Sequence, residues 1–149
     1  YDTERNLVPL SKEIEYITNY IELQRLRLSM QVKVVFDVQV GNEEAFIEPL
    51  LLLPFIENAF KHGVDNEKGG TISIGIRLKD NMLKLHTENP LVEESPSPKT
   101  GASGLGMNNT IKRLNLLYQD NFTLSSGSVG DKYITDLVLK LKENEMSDS

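Results

Sequence analysis

The sequence has no cysteine, which excludes disulfides and thiolate metal sites and fits a reducing compartment. It also lacks a basic cluster. Its 16 Lys and Arg are scattered among 22 Asp and Glu, and the formal net charge is −6, so nucleic acid is not expected as the main partner. No apolar run approaches the roughly 20 residues that cross a bilayer, and no signal-peptide pattern opens the chain. Histidine is scarce, with only His62 and His86. The chain starts at Tyr1 rather than Met, as a piece of a longer protein would, so a missing membrane segment says little about its parent. What is present is ordinary for a soluble globular domain: 149 residues, 39% hydrophobic and 26% charged, enough to bury one real core.

Periodicity divides the chain into elements. Residues 11–28 read as a helix with Leu10, Ile14, Ile17, Ile21 and Leu28 on one stripe and Ser11 as N-cap. Residues 31–40 alternate Val32, Val34, Phe36, Val38 and Val40 with mostly polar partners and predict a strand. A second helix is expected over 49–62, with Pro49 at its first position, Pro54 bending its interior and Gly63 at its C′ end. Residues 71–79 and 82–89 alternate cleanly around an Asp80-Asn81 hairpin turn, with Leu83, Leu85 and Thr87 inward on the second strand. Residues 90–103 hold three Pro and three Ser without periodicity and read as a mobile loop. A third helix over 106–118 and strands over 121–126 and 132–141 follow, and the tail 143–149 is expected to be disordered. Each strand has one apolar face, so the helices must cover one side of a single sheet. The predicted class is α+β, a two-layer α/β sandwich with a mixed, mostly antiparallel sheet of about five strands.

The stretch LLPFIENAFKHGV (52–64) is too apolar for a surface helix and too polar for a plain core helix. At about 100° per residue, Asn58 shares a face with Leu51, Phe55 and His62, and Lys61 lies close by, while Ile56, Ala59 and Phe60 point to the core. An amide oxygen, an ammonium and an imidazole suit a hydrated Mg²⁺ carrying phosphates, because Mg²⁺ keeps several waters and takes one or two protein oxygens. Taken singly, plainer roles compete. Glu57 and Lys61 are an i,i+4 pair in the favourable order, and His62 next to Gly63 complements a helix C-terminus. Asn58 is harder to explain without a partner, since a mid-helix Asn among apolar residues costs propensity.

TGASGLGMNNTIKRLNLLY (100–118) places Gly101, Gly104 and Gly106 just ahead of the third helix. Glycines let backbone N–H groups approach an anion, and a helix N-terminus adds partial positive charge. The same glycines could simply end a loop; alone the motif decides nothing. The spacing is neither that of a P-loop nor that of a Rossmann turn.

LPFIENAFKHGV resembles the N box, and SGLGMNNTIKRLNLLY the second glycine box, of the GHKL ATP-binding fold. More closely, the chain is similar to the catalytic domain of LytS/YehU-like sensor histidine kinases, whose helix after the phosphoacceptor segment LSKEIEYITNYIELQRLRL resembles. The resemblance covers about residues 8–141 and implies a Bergerat-type sandwich that binds ATP and Mg²⁺. It implies Asn58 as the Mg²⁺ ligand and Glu57 as the acid that orients or activates the attacking group. Lys61 and His62 would line the phosphate side. Ser103, Gly104, Leu105 and Gly106 would supply backbone contacts from a lid (90–103 and the start of the third helix), and Thr135 would help hold adenine through water. One block departs from the pattern: the strand ends TENP, so Asn89 stands where the family has the Asp that reads the adenine amine. An Asn carbonyl accepts from an amine too, without the charge-assisted component.

The family's phosphoacceptor histidine lies upstream of the first helix, and no such motif is present. The resemblance therefore implies a catalytic fragment, with residues 1–9 as the end of a linker, 10–142 as the domain, and a cytoplasmic location within a sensor that a membrane could anchor. Its partners would be ATP, the upstream helical domain and a response regulator, with the fragment monomeric and the parent a homodimer. His86, on the polar side of its strand, reads as a solvated residue. Two other classes compete: a GHKL-fold interaction module with little or no ATP binding, which TENP favours, and an ATP-driven clamp or serine kinase, which the linker-helix resemblance opposes.

Overall fold

A computed structural model describes residues 6–41, 44–65, 67–91 and 101–141, the side chains of 101–106 excepted. Its elements are β1 (Val8–Pro9), α1 (Leu10–Arg27), β2 (Val32–Gln39), β3 (Phe46–Ile47), α2 (Leu53–Gly63), β4 (Gly70–Lys79), β5 (Met82–Pro90), α3 (Gly101–Leu117), β6 (Phe122–Val129) and β7 (Lys132–Lys140). A short 3-10 turn, Gln119–Asn121, joins α3 to β6.

The main sheet runs in the order β2-β4-β5-β7-β6, and only the β2–β4 pair is parallel. The parallel pair is joined through α2, as a parallel connection requires. One face of each strand buries Ile and Leu against the helices: Ile72, Ile74 and Ile76 from β4, Leu83 and Leu85 from β5, Leu137 and Leu139 from β7. Each fully buried side chain of this kind contributes about 1.5–3 kcal/mol. Ile17 and Ile21 of α1, Phe55, Ile56 and Phe60 of α2, and Leu114 of α3 close the core from above. Asp80 and Asn81 both adopt left-handed φ, 54° and 65°, as the tight β4–β5 hairpin demands.

Several boundaries differ from the sequence expectation, each for a tertiary reason. Ser11 does not cap α1. The helix starts at Leu10, whose N–H donates to the Ala45 carbonyl (2.9 Å) beside the small β1–β3 pair. Pro49 does not open α2. Leu50 takes a left-handed φ of 57°, so the helix begins only at Leu53, and Pro54 sits in its first turn, where a missing N–H costs nothing and no bend follows. Gly63 is the last residue of α2 rather than its C′ residue. The glycine run is not a loop: α3 begins at Gly101 and takes Gly104 and Gly106 into its first turns. Pro90 belongs to β5, and residues 101–103 to α3. The rest of the expected lid, 92–100, and the tail 143–149 lie outside the described residues.

Candidate functional site

The site begins with how α2 is held. Glu13 of α1 is 1% exposed, and its carboxylate accepts the backbone N–H of Leu50 (2.8 Å) and of Leu52 (3.0 Å). Negative charge at the start of α2 also complements the helix dipole. From the other side, Arg113 of α3 donates to the carbonyls of Pro49 (3.1 Å) and Leu50 (3.4 Å) and pairs with Glu48 (3.8 Å). The Tyr118 hydroxyl accepts the Glu48 N–H at 3.2 Å. The turn before α2 is thus gripped by α1 through its N–H groups and by α3 through its carbonyls. The left-handed Leu50 persists because these contacts over-determine it.

Beyond this turn, α2 and α3 stand over the β5–β7–β6 part of the sheet and enclose a cleft of about 60 Å³. Phe55, Asn58 and Ala59 line it from α2, and Met107 and Ile111 from α3. Below them lie Thr87 and Asn89 of β5, Tyr133 and Thr135 of β7, and Leu124 and Ser126 of β6. Register brings these together: Thr87 pairs with Thr135, Asn89 with Tyr133, and Ser126 with Thr135. The inner face of the sheet is aliphatic along most of its length and turns polar only here. No buried side-chain N or O atom of the described residues is left without a partner. The hydroxyls and amide that line the cleft give its floor a hydrogen-bonding capacity that the aliphatic rest of the inner face lacks.

Asn89 is 4% exposed, and its Nδ2 donates to the Pro90 carbonyl at 2.9 Å. One N–H of the amide is so used; the side chain retains a second N–H and, in Oδ1, an oxygen. That oxygen is an acceptor, the group an exocyclic amine requires. A Cβ on Gly63 would overlap the Asn89 side chain, so only glycine allows α2 to end here.

The expected site residues divide. Asn58, Asn89 and Thr135 meet in the cleft. Glu57 is exposed and faces α1 instead: burial and then the Glu57 charge push the Tyr20 hydroxyl's pKa up, and Tyr20 packs edge-on against Phe60 with ring centroids 5.7 Å apart. The ion pair with Lys61 that their spacing allows is not among the contacts of the described residues. Lys61 is exposed and His62 half-buried, and neither lines the cleft. Ala59, expected in the core, is buried but also forms cleft wall. Only the first four N–H groups of a helix lack an intrahelical partner. Ser103 is within that group, whereas the N–H groups of Gly104, Leu105 and Gly106 fall where α3 has its own intrahelical acceptors. Thr87, Ser126 and Tyr133 were missed. The inward Thr87 after Leu83 and Leu85 was the legible signal; the other two needed the strand register.

His86 is not simply solvated. On the open face of the sheet its Nδ1 meets Asp136 at 2.6 Å and its Nε2 meets Glu88 at 2.9 Å, with Lys132 3.5 Å from Glu88. Burial alone would lower its pKa, but the hydrogen bonds to Asp136 and Glu88 outweigh that and raise it.

None of the protein-family models matches this chain. It is 30% identical over 135 residues to the sensor histidine kinase BtsS of Escherichia coli K12, an alignment covering 90% of this chain and 24% of BtsS. An uncharacterised sensor-like histidine kinase of Staphylococcus epidermidis is 33% identical over 84 residues, 56% of this chain and 16% of that protein. The chain thus spans about a quarter of the length of BtsS. In fold it is similar to the catalytic domain of histidine kinase ThkA, with TM-score 0.66, 15% identity, and 95% and 100% of the two chains covered. The Acinetobacter baumannii histidine kinase AdeS gives TM-score 0.61 at 17% identity, covering 94% of this chain and 70% of that one. The chain belongs to the sensor histidine kinases of LytS type and has the fold of a histidine kinase catalytic domain.

Proposed function

We propose that this domain binds Mg·ATP in the cleft between α2, α3 and the β5–β7–β6 floor, and that the longer protein uses it to phosphorylate a histidine on an upstream helical domain. The observation that carries the reading is the polar floor of Thr87, Asn89, Ser126, Tyr133 and Thr135 facing Asn58 across a cleft in an otherwise aliphatic interior.

The donors and acceptors suit the group, and the cleft of about 60 Å³ would have to widen to admit it. Asn89 presents an acceptor fixed by Pro90, suited to the adenine amine, and Thr135 stands beside it for a water-mediated contact. Asn58, half-buried at the cleft wall, offers one amide oxygen. Among the described residues no cluster of His, Asp or Glu could hold a metal alone. A single amide suits an ion that arrives with the nucleotide, since Mg²⁺ retains waters and phosphate oxygens. When bound, Mg²⁺ supplies charge neutralisation around the phosphates. The chain's own task is positioning. Ser103 would offer a backbone N–H in the first turn of α3, and Lys61 and His62, in the last turn of α2, would serve the phosphates. Glu57, outside it and exposed, is free to meet the acceptor histidine and polarise its nitrogen.

The upstream helical domain and a response regulator are the partners this reading names, in a homodimeric parent with the domain on the cytoplasmic side. ThkA has been solved in complex with its response regulator TrrA. Among the described residues no helix is long and apolar enough to cross a membrane. Amide chemical shifts recorded during titration with Mg·ATP test the placement. Perturbations centred on residues 58, 87–89, 107–111 and 133–135 are expected. Perturbations confined to other surfaces, or none, would leave the non-catalytic interaction module as the better reading.

A further inference from the structure

The outward face of α1 carries apolar side chains that no other described element covers. Tyr16, Leu23 and Leu26 are 59%, 60% and 82% exposed, on the side of the helix opposite the buried Ile17 and Ile21. With the exposed Lys12 and Asn19 they alternate steps of four and three, the a/d repeat of a two-stranded coiled coil. Met30, two residues past the C-cap Leu28 and outside the helix, is 99% exposed. A helix on a domain surface normally has one apolar stripe; α1 has two.

The charges beside the stripe select a partner. Glu22 stands just before Leu23, in the g position, and Arg27 just after Leu26, in the e position. In a parallel, in-register pair, a g residue meets the e residue five positions on in the partner. Glu22 of each copy would then meet Arg27 of the other, twice over by symmetry. An antiparallel pair would set g against g, bringing Glu15 and Glu22 of the two copies together, and like charges oppose it. Asn19 inside the seam adds to this, since a polar seam residue is best satisfied by its own copy in register.

We propose that this face of α1 is a self-association surface on which a second copy of the chain docks as a parallel, in-register helix pair. The inference rests on α1 alone and is independent of the nucleotide reading. It replaces the expectation of a strictly monomeric fragment. The helix is already ordered by its packing on the domain, so docking does not bear the cost of folding it. The seam is short and the free association weak; tethering two copies in a longer dimer would make it strong through effective concentration.

Sedimentation equilibrium of the 149-residue chain, up to about 1 mM, tests this. A concentration-dependent dimer is expected. Leu26→Glu should weaken it about tenfold with an unchanged unfolding curve, because Leu26 is exposed. Glu22→Arg should weaken it as well, and adding Arg27→Glu should restore it. Because the chain has no cysteine, single-cysteine variants report orientation under a disulfide oxidant. Leu26→Cys should cross-link to itself, and so should Tyr16→Cys. A mixture of these two variants that gives mainly the mixed dimer would mean antiparallel docking and overturn the proposal. A monomer at every concentration would overturn it too, leaving the stripe to another segment of the longer protein, as would a dimer indifferent to Leu26→Glu.

Discussion

Gly63, the last residue of α2, lies so close to Asn89 of β5 that a Cβ at residue 63 would overlap the Asn89 side chain. The contact ties the two halves of the cleft together, since α2 carries Asn58 and β5 carries Asn89, both of which line it. Gly63→Ala must displace Asn89 or lift the end of α2. A stability loss of about 1–3 kcal/mol by urea denaturation is expected, together with weaker discrimination of ATP from GTP. A variant with unchanged stability and selectivity would show that the contact does not set the geometry of Asn89.

Glu13 should matter more to stability than any exposed residue of α1. Glu13→Ala strands the N–H groups of Leu50 and Leu52, at an expected cost of about 2–4 kcal/mol. Glu13→Gln keeps one acceptor oxygen and should cost about half as much. Chemical denaturation of both variants checks the order. A loss below about 0.5 kcal/mol for Glu13→Ala would mean that Arg113 alone holds the turn.

The His86 cluster predicts a pH signature. Its pKa is raised above the ordinary 6.5, and that of Glu88 is lowered below the ordinary 4.5 by the hydrogen bond to His86. The histidine's contribution is therefore complete below 6.5 and lost as pH rises through its folded value. The contribution of Glu88 is present above 4.5 and lost as pH falls through its folded value. The difference in melting temperature between wild type and His86→Gln should be largest between pH 4.5 and 6.5 and shrink on the alkaline side. A difference that grows with alkalinity would contradict this role for the His86 cluster.

Asn58→Ala should separate metal from base. The side chain is half-buried, so a stability change under about 1 kcal/mol is expected. The gain in nucleotide affinity that Mg²⁺ brings should vanish, with the metal-free affinity little altered. Unchanged Mg²⁺ dependence in a folded variant would remove Asn58 from the site.

The parts of this fold that were legible in the sequence are those set locally. The β4–β5 hairpin follows from strict alternation around Asp80-Asn81, and the buried stripe of α1 from its period. What stayed hidden was set from a distance. Pro49 looked like a helix start because nothing near it in sequence announces Glu13 and Arg113 gripping the turn. The glycines before α3 looked like loop because each costs a helix up to about 1 kcal/mol, yet α3 runs through them. The same holds for function. Asn58 was readable as an odd polar residue in an apolar setting, and Asn89 only from the family motif. Ser126 and Tyr133 join them only through strand register, and it is the fold that sets Glu57 apart from the cleft.

Calorimetric titration of the domain with ATP, with and without Mg²⁺, tests the central claim most directly. Saturable binding, selective for adenine and strengthened by Mg²⁺, is the predicted result. No binding at about 1 mM ATP by a folded domain would contradict it.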